Sequence, residues 1–305
     1  LYDTPRAVST GPNWAYLRIA EGCDNRCAYC VIPSLRGKFR SRTKESILEE
    51  ARLLAASGVK ELIIVAQDIT RYGIDLYGKV CLTELLKELC KLDFRWVRLH
   101  YLYPELIDDE LIDEIASEDK IVKYLDIPIQ HINDTILRRM NRRGTGEEIR
   151  ALFKKLRERI PGLVLRTSLI TGLPGEGEAE FEELCDFLRE AKIERAGVFP
   201  YSPEEGTPAA LMPDRCSTEE AQRRAELCME IQAEIMDGFA ETFIGRELDV
   251  LVMGREPDGT PWGRSEYDSP DIDSRVIFSG GAAPGDMVRV RIDSVDDGEL
   301  IGEQI

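Results

Sequence analysis

The amino-acid sequence predicts an α/β protein in which an open, partial (β/α)6 barrel is followed by a small antiparallel β-barrel. Up to about residue 240, short apolar stretches alternate with amphipathic helical patterns, which is typical of βαβ units and a parallel sheet. Six such units are too few for a closed eight-fold barrel. From about residue 244 the pattern changes to short strands separated by turns rich in Gly and Asp, which favours a small barrel of about five strands.

Six apolar stretches are the predicted strands of the first region: 15–20, 61–66, 96–102, 124–129, 164–171 and 196–201. The segments between them place apolar residues at helical spacings of three, four and seven, as Ile47, Leu48, Ala51 and Leu54 do. The predicted helices are 44–57, 83–92, 108–117, 133–140, 146–159, 178–192 and 217–243. Strands of the small barrel are predicted at 247–253, 273–278, 286–292 and 300–303.

The predicted domain organisation is a linker at residues 1–12, a large domain at 13–240 and a small domain at 241–305. The chain opens on Leu1 rather than Met, and we expect an N-terminal portion to precede it. No apolar stretch approaches the roughly 18 residues that span a bilayer. Thiols without a disulfide pattern are typical of a reducing cytoplasm.

The most informative motif is a run of three cysteines, Cys23, Cys27 and Cys30, directly after the first predicted strand. Cysteine thiolates hold iron–sulfur clusters, usually four to a cluster. Three thiolates at this C-x3-C-x2-C spacing can hold three corners of a cubane and leave one iron without a protein ligand. Because an open position on a metal is where substrate chemistry takes place, the motif predicts a cluster that acts on a small molecule.

A structural zinc site is the alternative interpretation of the same motif. Its fourth ligand would come from His100, His131 or one of the other five cysteines, which are Cys81, Cys90, Cys185, Cys216 and Cys228. Structural zinc sites usually combine two C-x2-C pairs or one such pair with paired histidines, and the sequence has no second pair. Isolated cysteines are mostly buried core residues, and we interpret these five in that way.

Polar residues gather where the predicted strands end. They include Gln67 and Asp68, Gln130 and His131, and the segment from Thr171 to Glu176. The carboxyl ends of parallel strands share one edge of a barrel, and that edge holds the active site because its loops converge there. The cysteine run follows the first strand and therefore falls on the same edge.

The residues around the cysteines resemble those of the radical S-adenosylmethionine (SAM) superfamily and, within it, the methylthiotransferases. The matching segments are Glu21-Gly22-Cys23, residues 30–37, residues 58–61, Met140-Asn141-Arg142-Arg143, residues 172–176 and residues 201–209. The small terminal barrel resembles a TRAM domain, with Gly263-Arg264-Ser265 in the usual place. The resemblance covers essentially the whole chain.

This resemblance implies a 4Fe-4S cluster on Cys23, Cys27 and Cys30, whose open iron binds SAM. One electron from an external donor then cleaves SAM to a 5′-deoxyadenosyl radical, which removes a hydrogen from an unactivated carbon before a methylthio group is added. The resemblance places Tyr29 near the adenine, and Gln67, Asp68 and Gln130 in contact with SAM. No catalytic side chain is implied beyond the cluster and SAM. Family members carry an N-terminal domain with a second cluster, so we expect this chain to bind one cluster and not to complete sulfur insertion alone.

The family divides by substrate, and several segments resemble the branch that modifies an aspartate of a small-subunit ribosomal protein, either free or in the assembled subunit. They are residues 19–24, 66–68, 72–78, 125–132 and 201–205. The other branch modifies a tRNA adenosine and is the alternative. Its members would have Asn in place of Asp68 and Arg near Glu204.

Charge agrees with the protein substrate. The whole chain carries a net charge of −17, and residues 240–305 contain six Arg, no Lys and fifteen Asp or Glu. Affinity for nucleic acid depends on cationic contacts to phosphates, so an acidic terminal barrel would repel RNA and could dock a basic ribosomal protein. The same acidic residues could also lie on faces that contact nothing.

Two basic groups lie near the predicted active edge: Arg36, Lys38, Arg40, Arg42 and Lys44, and then Arg138, Arg139, Arg142 and Arg143. A solvated surface is the default for such runs. They could instead steer a substrate aspartate, the SAM carboxylate or nearby ribosomal RNA.

Two further alternatives come from other classes of protein. One is a non-catalytic RNA-binding module with a zinc site. The other is a radical enzyme that transfers only hydrogen or a methyl group.

Overall fold

The structure, a computed structural model, describes residues 10–305, so most of the predicted linker at residues 1–12 lies outside the described residues. Among the described residues, eight strands precede the terminal barrel: β1 (Trp14–Arg18), β2 (Ala20–Glu21), β3 (Arg40–Ser41), β4 (Glu61–Val65), β5 (Trp96–His100), β6 (Ile121–Asp126), β7 (Val164–Thr171) and β8 (Arg195–Pro200). Six of them form one parallel sheet in the order β1-β4-β5-β6-β7-β8. The edge strands β1 and β8 are not paired with each other, which confirms the predicted open, six-stranded arrangement. The short strands β2 and β3 pair separately.

The α-helices within residues 10–305 are α1 (Ile32–Arg36), α2 (Lys44–Ala56), α3 (Ile74–Tyr77), α4 (Leu82–Leu89), α5 (Asp109–Ser117), α6 (Asp134–Arg139), α7 (Gly146–Arg159), α8 (Glu178–Ala191) and α9 (Thr218–Glu241). The amphipathic helices pack their apolar sides onto one face of the sheet. That buried core includes Leu17, Leu62, Leu99 and Leu165 from the strands. No helix in the described part of the chain is both long and apolar enough to cross a membrane.

In the parallel sheet, one strand is displaced from its prediction by three residues. The sequence predicted residues 124–129, whereas β6 spans Ile121–Asp126. Lys123 interrupts the apolar run, so the sequence pattern does not show where the strand begins. A lysine is accommodated in this strand because its ammonium group donates a hydrogen bond to the carbonyl of Glu118 at 2.9 Å. The strand ends before Pro128, which has no N–H to donate to a neighbouring strand.

The terminal barrel is closed and consists of β9 (Glu247–Arg255), β10 (Pro261–Ser265), β11 (Val276–Ser279), β12 (Met287–Asp296) and β13 (Glu299–Gln304). In this barrel β11 begins three residues later and β12 ends four residues later than predicted. The sequence predicted about five strands but did not place β10, because Pro261–Ser265 lacks an alternating apolar pattern. Gly263 allows this strand to lie close to β9, since a Cβ at that position would be 2.4 Å from the Leu251 carbonyl oxygen. The barrel is not wholly antiparallel as predicted, because β11 pairs parallel to β13 while the other four pairings are antiparallel.

The terminal barrel packs against the inner face of the sheet, near the amino-terminal ends of the strands. Arg264 of β10 contacts Glu61 at 2.5 Å, and Arg195 of β8 donates to Asp268 at 2.8 Å. The Tyr124 hydroxyl donates to Asp273 at 2.6 Å. This arrangement leaves the carboxyl ends of the strands to the cysteine loop and the polar loops.

Candidate active site

The cysteine loop lies between β2 and α1, at the carboxyl-terminal edge of the sheet. Gly22 begins the loop at φ +81°, and a Cβ there would lie 2.2 Å from the Lys38 carbonyl oxygen. The Cys23 N–H donates to the Gly37 carbonyl at 3.1 Å. Only glycine fits both this backbone conformation and this close approach, so Gly22 fixes the start of the loop against residues 37–38.

Cys23, Cys27 and Cys30 all line one open cavity of about 560 Å³. Burial raises the pKa of the Cys23 thiol to about 11 and also raises that of Cys30. Both groups must therefore lose a proton when they ligate a metal. Within residues 10–305, no three His, Cys, Asp or Glu side chains converge on the position of a single metal ion.

The Cys27 sulfur is contacted by two side chains that the sequence did not place beside it. Tyr103 was not singled out, and Arg142 was named only in a family motif and in a basic group near the active edge. The Tyr103 hydroxyl oxygen lies 2.9 Å from Cys27 Sγ, and Arg142 Nη1 lies 3.8 Å from it. The guanidinium group of Arg142 also stacks on the Tyr103 ring at 4.3 Å. Tyr103 follows β5, and no local sequence signal links it to the cysteines. Arg142 follows α6 and lies in the segment Met140–Arg143 that resembles the family, but that segment does not by itself indicate a contact with Cys27.

Tyr29, which was predicted to lie near the adenine, packs against a small apolar cluster. The cluster joins Ala28 of the cysteine loop to Ile136 and Met140 near α6 and to Leu173 of the loop after β7. This packing sets the ring between the cysteine loop and the loop that follows β7.

Gln67 and Asp68, which follow β4, have different surroundings. The Gln67 side-chain oxygen is buried and has no hydrogen-bond partner in the described structure. Asp68 is buried and accepts hydrogen bonds from Asn25 Nδ2 at 3.0 Å and from the Thr70 N–H at 3.1 Å. Asp68 therefore ties the end of β4 to the cysteine loop, whereas Gln67 still has an oxygen available to a ligand.

Gln130 has an unusual backbone conformation for a residue with a side chain, φ +71°. Its N–H donates to the Ser168 carbonyl at 2.9 Å, and its carbonyl accepts from the Ile170 N–H at 2.8 Å. These two bonds hold Gln130 beside β7, at the edge where the strands end.

A buried ionic group next to Gln130 connects two of the polar loops. Glu176 accepts a hydrogen bond from Arg224 Nη1 at 2.9 Å and from the Gly172 N–H at 2.8 Å, and its Oε2 lies 3.4 Å from His131 Nε2. His131 Nδ1 accepts from the Asn133 N–H, so Nε2 carries the proton that faces Glu176. Burial opposes ionisation of Glu176, but His131, Gly172 and Arg224 outweigh it and lower the pKa of this carboxyl.

The predicted basic groups do not form one surface. Arg42 is buried and pairs with Glu50 at 2.6 Å, while Arg36 is exposed and contacts Glu21 at 3.2 Å. In the second group Arg142 is buried and Arg143 is exposed.

Four of the five cysteines outside the motif are buried, and Cys216 is half-buried.

Comparison with known proteins agrees with this geometry. Residues 17–188 match the family model of the radical SAM superfamily, and residues 244–305 match that of the TRAM domain. The fold is similar to that of coproporphyrinogen III oxidase (HemN) from Escherichia coli, with a TM-score of 0.56, 20% identity, and coverage of 74% of this chain and 54% of that one. Fold and cysteine loop together define a radical SAM enzyme with a C-terminal TRAM domain.

Two curated relatives with similar sequences indicate which family within the radical SAM superfamily this chain belongs to. The ribosomal protein uS12 methylthiotransferase RimO of Pelotomaculum thermopropionicum is 52% identical over 306 residues, and that of Caldanaerobacter subterraneus subsp. tengcongensis is 49% identical over 302 residues. The alignments cover 99% and 98% of this chain, and 69% of each relative. The chain belongs to the RimO family of ribosomal protein uS12 methylthiotransferases.

The cofactors of this family are a 4Fe-4S cluster and SAM, and the residues present fit both. Three thiols that line one cavity suit a cubane with one open iron, and a cluster does not require its thiolates to converge on a single point. The buried, unpartnered oxygen of Gln67 suits a donor group of a bound ligand.

Proposed function

We propose that this chain is the radical SAM and TRAM part of an enzyme that adds a methylthio group to the β-carbon of an aspartate in ribosomal protein uS12. The observation that supports the proposal most strongly is 52% identity, across both domains, to a uS12 methylthiotransferase. A shared fold alone would not support a substrate. Identity at this level over 99% of the chain supports a common reaction.

Cys23, Cys27 and Cys30 would hold the cluster at the open cavity. When bound, the cluster and SAM supply a radical that removes a hydrogen atom from an unactivated carbon. Gln67 and Gln130 would contact SAM from the ends of β4 and β6, and Tyr29 would border the adenine. Asp68 would act through the cysteine loop, because its carboxylate is bonded to Asn25 and Thr70.

The terminal barrel supports a basic protein as the substrate. Glu256 and Glu299 share a single arginine, Arg275, so this group keeps one negative charge. Asp258, Asp296 and Asp297 are exposed at turns and form no ion pair in the described part of the chain. This negative excess at the turns would attract a basic ribosomal protein and repel RNA.

Several finer points belong to the same proposal. The partner would be uS12, either free or in the assembled small subunit, and an external one-electron donor would reduce the cluster. The enzyme would work in the cytoplasm. The domain division at residues 13–240 and 241–305 stays a prediction.

The test is mass spectrometry of ribosomal proteins and tRNA nucleosides from cells that have or lack the full-length gene. We expect the methylthio group on uS12 to disappear with the gene and to return on complementation. Complementation with Cys27→Ala should fail, whereas Cys90→Ala, which changes a buried cysteine outside the motif, should restore the modification.

A change in tRNA nucleosides with uS12 unaltered would contradict the proposed substrate and favour the tRNA branch. If neither Cys90→Ala nor Cys27→Ala restores the modification, although both variants are present at the normal protein level, the special role of the cysteine triad (Cys23, Cys27 and Cys30) would be contradicted.

A further inference from the structure

Arg142 is held against the cysteine loop by its own backbone. Asn141, just after α6, adopts a left-handed conformation with φ +54°, and its side chain donates to the Arg26 carbonyl at 2.7 Å. The Ala28 N–H donates to the Met140 carbonyl at 2.8 Å. These bonds join residues 140–142 to residues 26–28, so the Arg142 side chain enters the protein beside Cys27.

The contacts of the Arg142 guanidinium group are neutral ones. Nη2 donates to the Pro128 carbonyl at 2.6 Å, and Nη1 donates to the Tyr103 hydroxyl. Nη1 also lies 3.8 Å from Cys27 Sγ. The Tyr103 hydroxyl is itself 2.9 Å from that sulfur, so two groups that can donate a hydrogen bond converge on one atom.

The absence of a carboxylate partner distinguishes Arg142 from the other buried arginines. Six arginines are buried within residues 10–305: Arg42, Arg98, Arg142, Arg195, Arg224 and Arg264. Five of them form ion pairs with Asp or Glu. Arg142 forms none in that part of the chain. A buried arginine cannot lose its charge, and a buried charge is costly without a counter-ion.

We propose that Arg142 and Tyr103 are positioning residues that hydrogen-bond the Cys27 thiolate of the bound cluster and make the cluster easier to reduce. Arg142 is then the cationic partner of an anionic ligand that is present only when the cluster is assembled. Hydrogen bonds and positive charge at cluster sulfurs stabilise the reduced form, which has one more negative charge. The inference rests on the proposed role of the cysteine triad.

The redox step is a one-electron reduction of the 4Fe-4S cluster from the 2+ to the 1+ state. The electron comes from a low-potential one-electron reductant, which is Ti(III) in the experiment below and is oxidised to Ti(IV). No bond to protein forms or breaks, and Arg142 and Tyr103 keep their protons.

The experiment is a potentiometric titration of the anaerobically reconstituted full chain with Ti(III) citrate, followed by electron paramagnetic resonance of the reduced cluster. The variants are Tyr103→Phe, Arg142→Gln and Arg142→Lys. Arg143→Gln is the matched control, because it removes the same charge from the adjacent, exposed position.

At the midpoint potential of the wild type, we expect the ratio of reduced to oxidised cluster to fall about tenfold in Arg142→Gln, because the reduced cluster has one more negative charge and loses more from removal of the cation than the oxidised cluster does. For one electron this corresponds to a negative shift of about 59 mV. Tyr103→Phe should shift the ratio in the same direction by a smaller factor. Arg142→Lys should recover part of the loss, and Arg143→Gln should stay within about twofold of the wild type.

Ratios within about twofold of the wild type in both Tyr103→Phe and Arg142→Gln, at full iron content, would overturn the inference. If Arg142→Gln takes up no iron but unfolds like the metal-free wild type, the cluster needs its counter-ion to assemble, which supports the inference. If that variant fails to fold, the ratio of reduced to oxidised cluster in Tyr103→Phe alone tests the inference. A wild type that takes up zinc but no iron–sulfur cluster overturns the proposed function together with the inference.

Discussion

Two buried arginines at opposite ends of the sheet have opposite electrostatic surroundings. Arg98, near the terminal barrel, is fully buried and donates to Glu61 at 2.6 Å, and Glu61 also pairs with Arg264 of the barrel. Arg142, at the cysteine loop, is 9% exposed and contacts a hydroxyl, a carbonyl and a thiol. Arg98 therefore has the Glu61 carboxylate as its counter-ion in the folded protein. Arg142 has the Cys27 sulfur in the corresponding position.

The comparison separates a structural charge from a functional one. Burial opposes ionisation of Glu61, but Arg264 and Arg98 outweigh it and lower its pKa, so both arginines have an ionised carboxylate as their partner in the folded protein. It fastens the terminal barrel to the sheet across a long sequence separation. At the cysteine loop the folded protein leaves a buried cation with no carboxylate at ion-pair distance among the described residues, although Arg142 does act electrostatically on the carboxyl of Glu105. A bound anionic group would complete this arrangement.

The largest effect is expected from Glu61→Gln, which leaves Arg98 and Arg264 buried together without their carboxylate. We expect the free energy of unfolding to fall by about 3–5 kcal/mol, because removing one partner uncovers a buried charge. Urea denaturation followed by circular dichroism measures it. Glu256→Gln is the control, since its pair with Arg275 is partly exposed and should cost less than about 1 kcal/mol. If both variants lost the same free energy of unfolding, the buried Glu61 group would be no more important for stability than the partly exposed pair of Glu256 and Arg275.

Replacing either Arg98 or Arg142 by methionine in the metal-free protein compares the two buried arginines directly. Arg98→Met should cost about 2 kcal/mol, less than Glu61→Gln, because Glu61 keeps Arg264 as a partner. Arg142→Met should change the free energy of unfolding by less than about 1 kcal/mol, because relief of an unpaired buried charge offsets the lost hydrogen bonds. The same denaturation experiment measures both variants. A loss at Arg142 as large as that at Arg98 would mean that Arg142 is a structural residue.

The sequence was sufficient for features with a local signal. The three cysteines lie within eight residues, and the six strands of the parallel sheet and most helices follow apolar periodicity, so these features could be predicted. The strand β10 has no such periodicity, and the beginning of β6 is hidden by a lysine whose ammonium group bonds to backbone carbonyls.

The contacts to Cys27 could not be predicted because they depend on long-range packing. Arg142 belongs to a basic run, for which a solvated surface is the default, and it is buried only because Asn141 and Met140 bond to the cysteine loop. Tyr103 is 76 residues from Cys27 in sequence. The surroundings of Asp68 are also non-local, since its partner Asn25 comes from the cysteine loop.

The smallest effect concerns His100, a third buried base, which lies near Arg98 and 3.4 Å from the Ser269 hydroxyl. Burial, and then Arg98 and Arg166, lower the pKa of His100 to about 3. Unlike arginine, histidine can lose its proton, so it needs no counter-ion. Its neutral form stabilises the fold fully above its ordinary pKa of about 6.5, and this contribution is lost as the pH falls from there towards about 3.

We therefore expect His100→Asn, which cannot titrate, to lose about 1 kcal/mol less than the wild type between pH 6 and pH 5. Urea denaturation of both proteins at the two pH values measures the difference. Asp126, whose pKa burial raises to about 6, titrates in both proteins and cancels from the comparison. Parallel losses in the two proteins would show that His100 is not held neutral. The contrast with Arg142 would then weaken, because a buried cationic base without a carboxylate partner would be an ordinary feature of this fold.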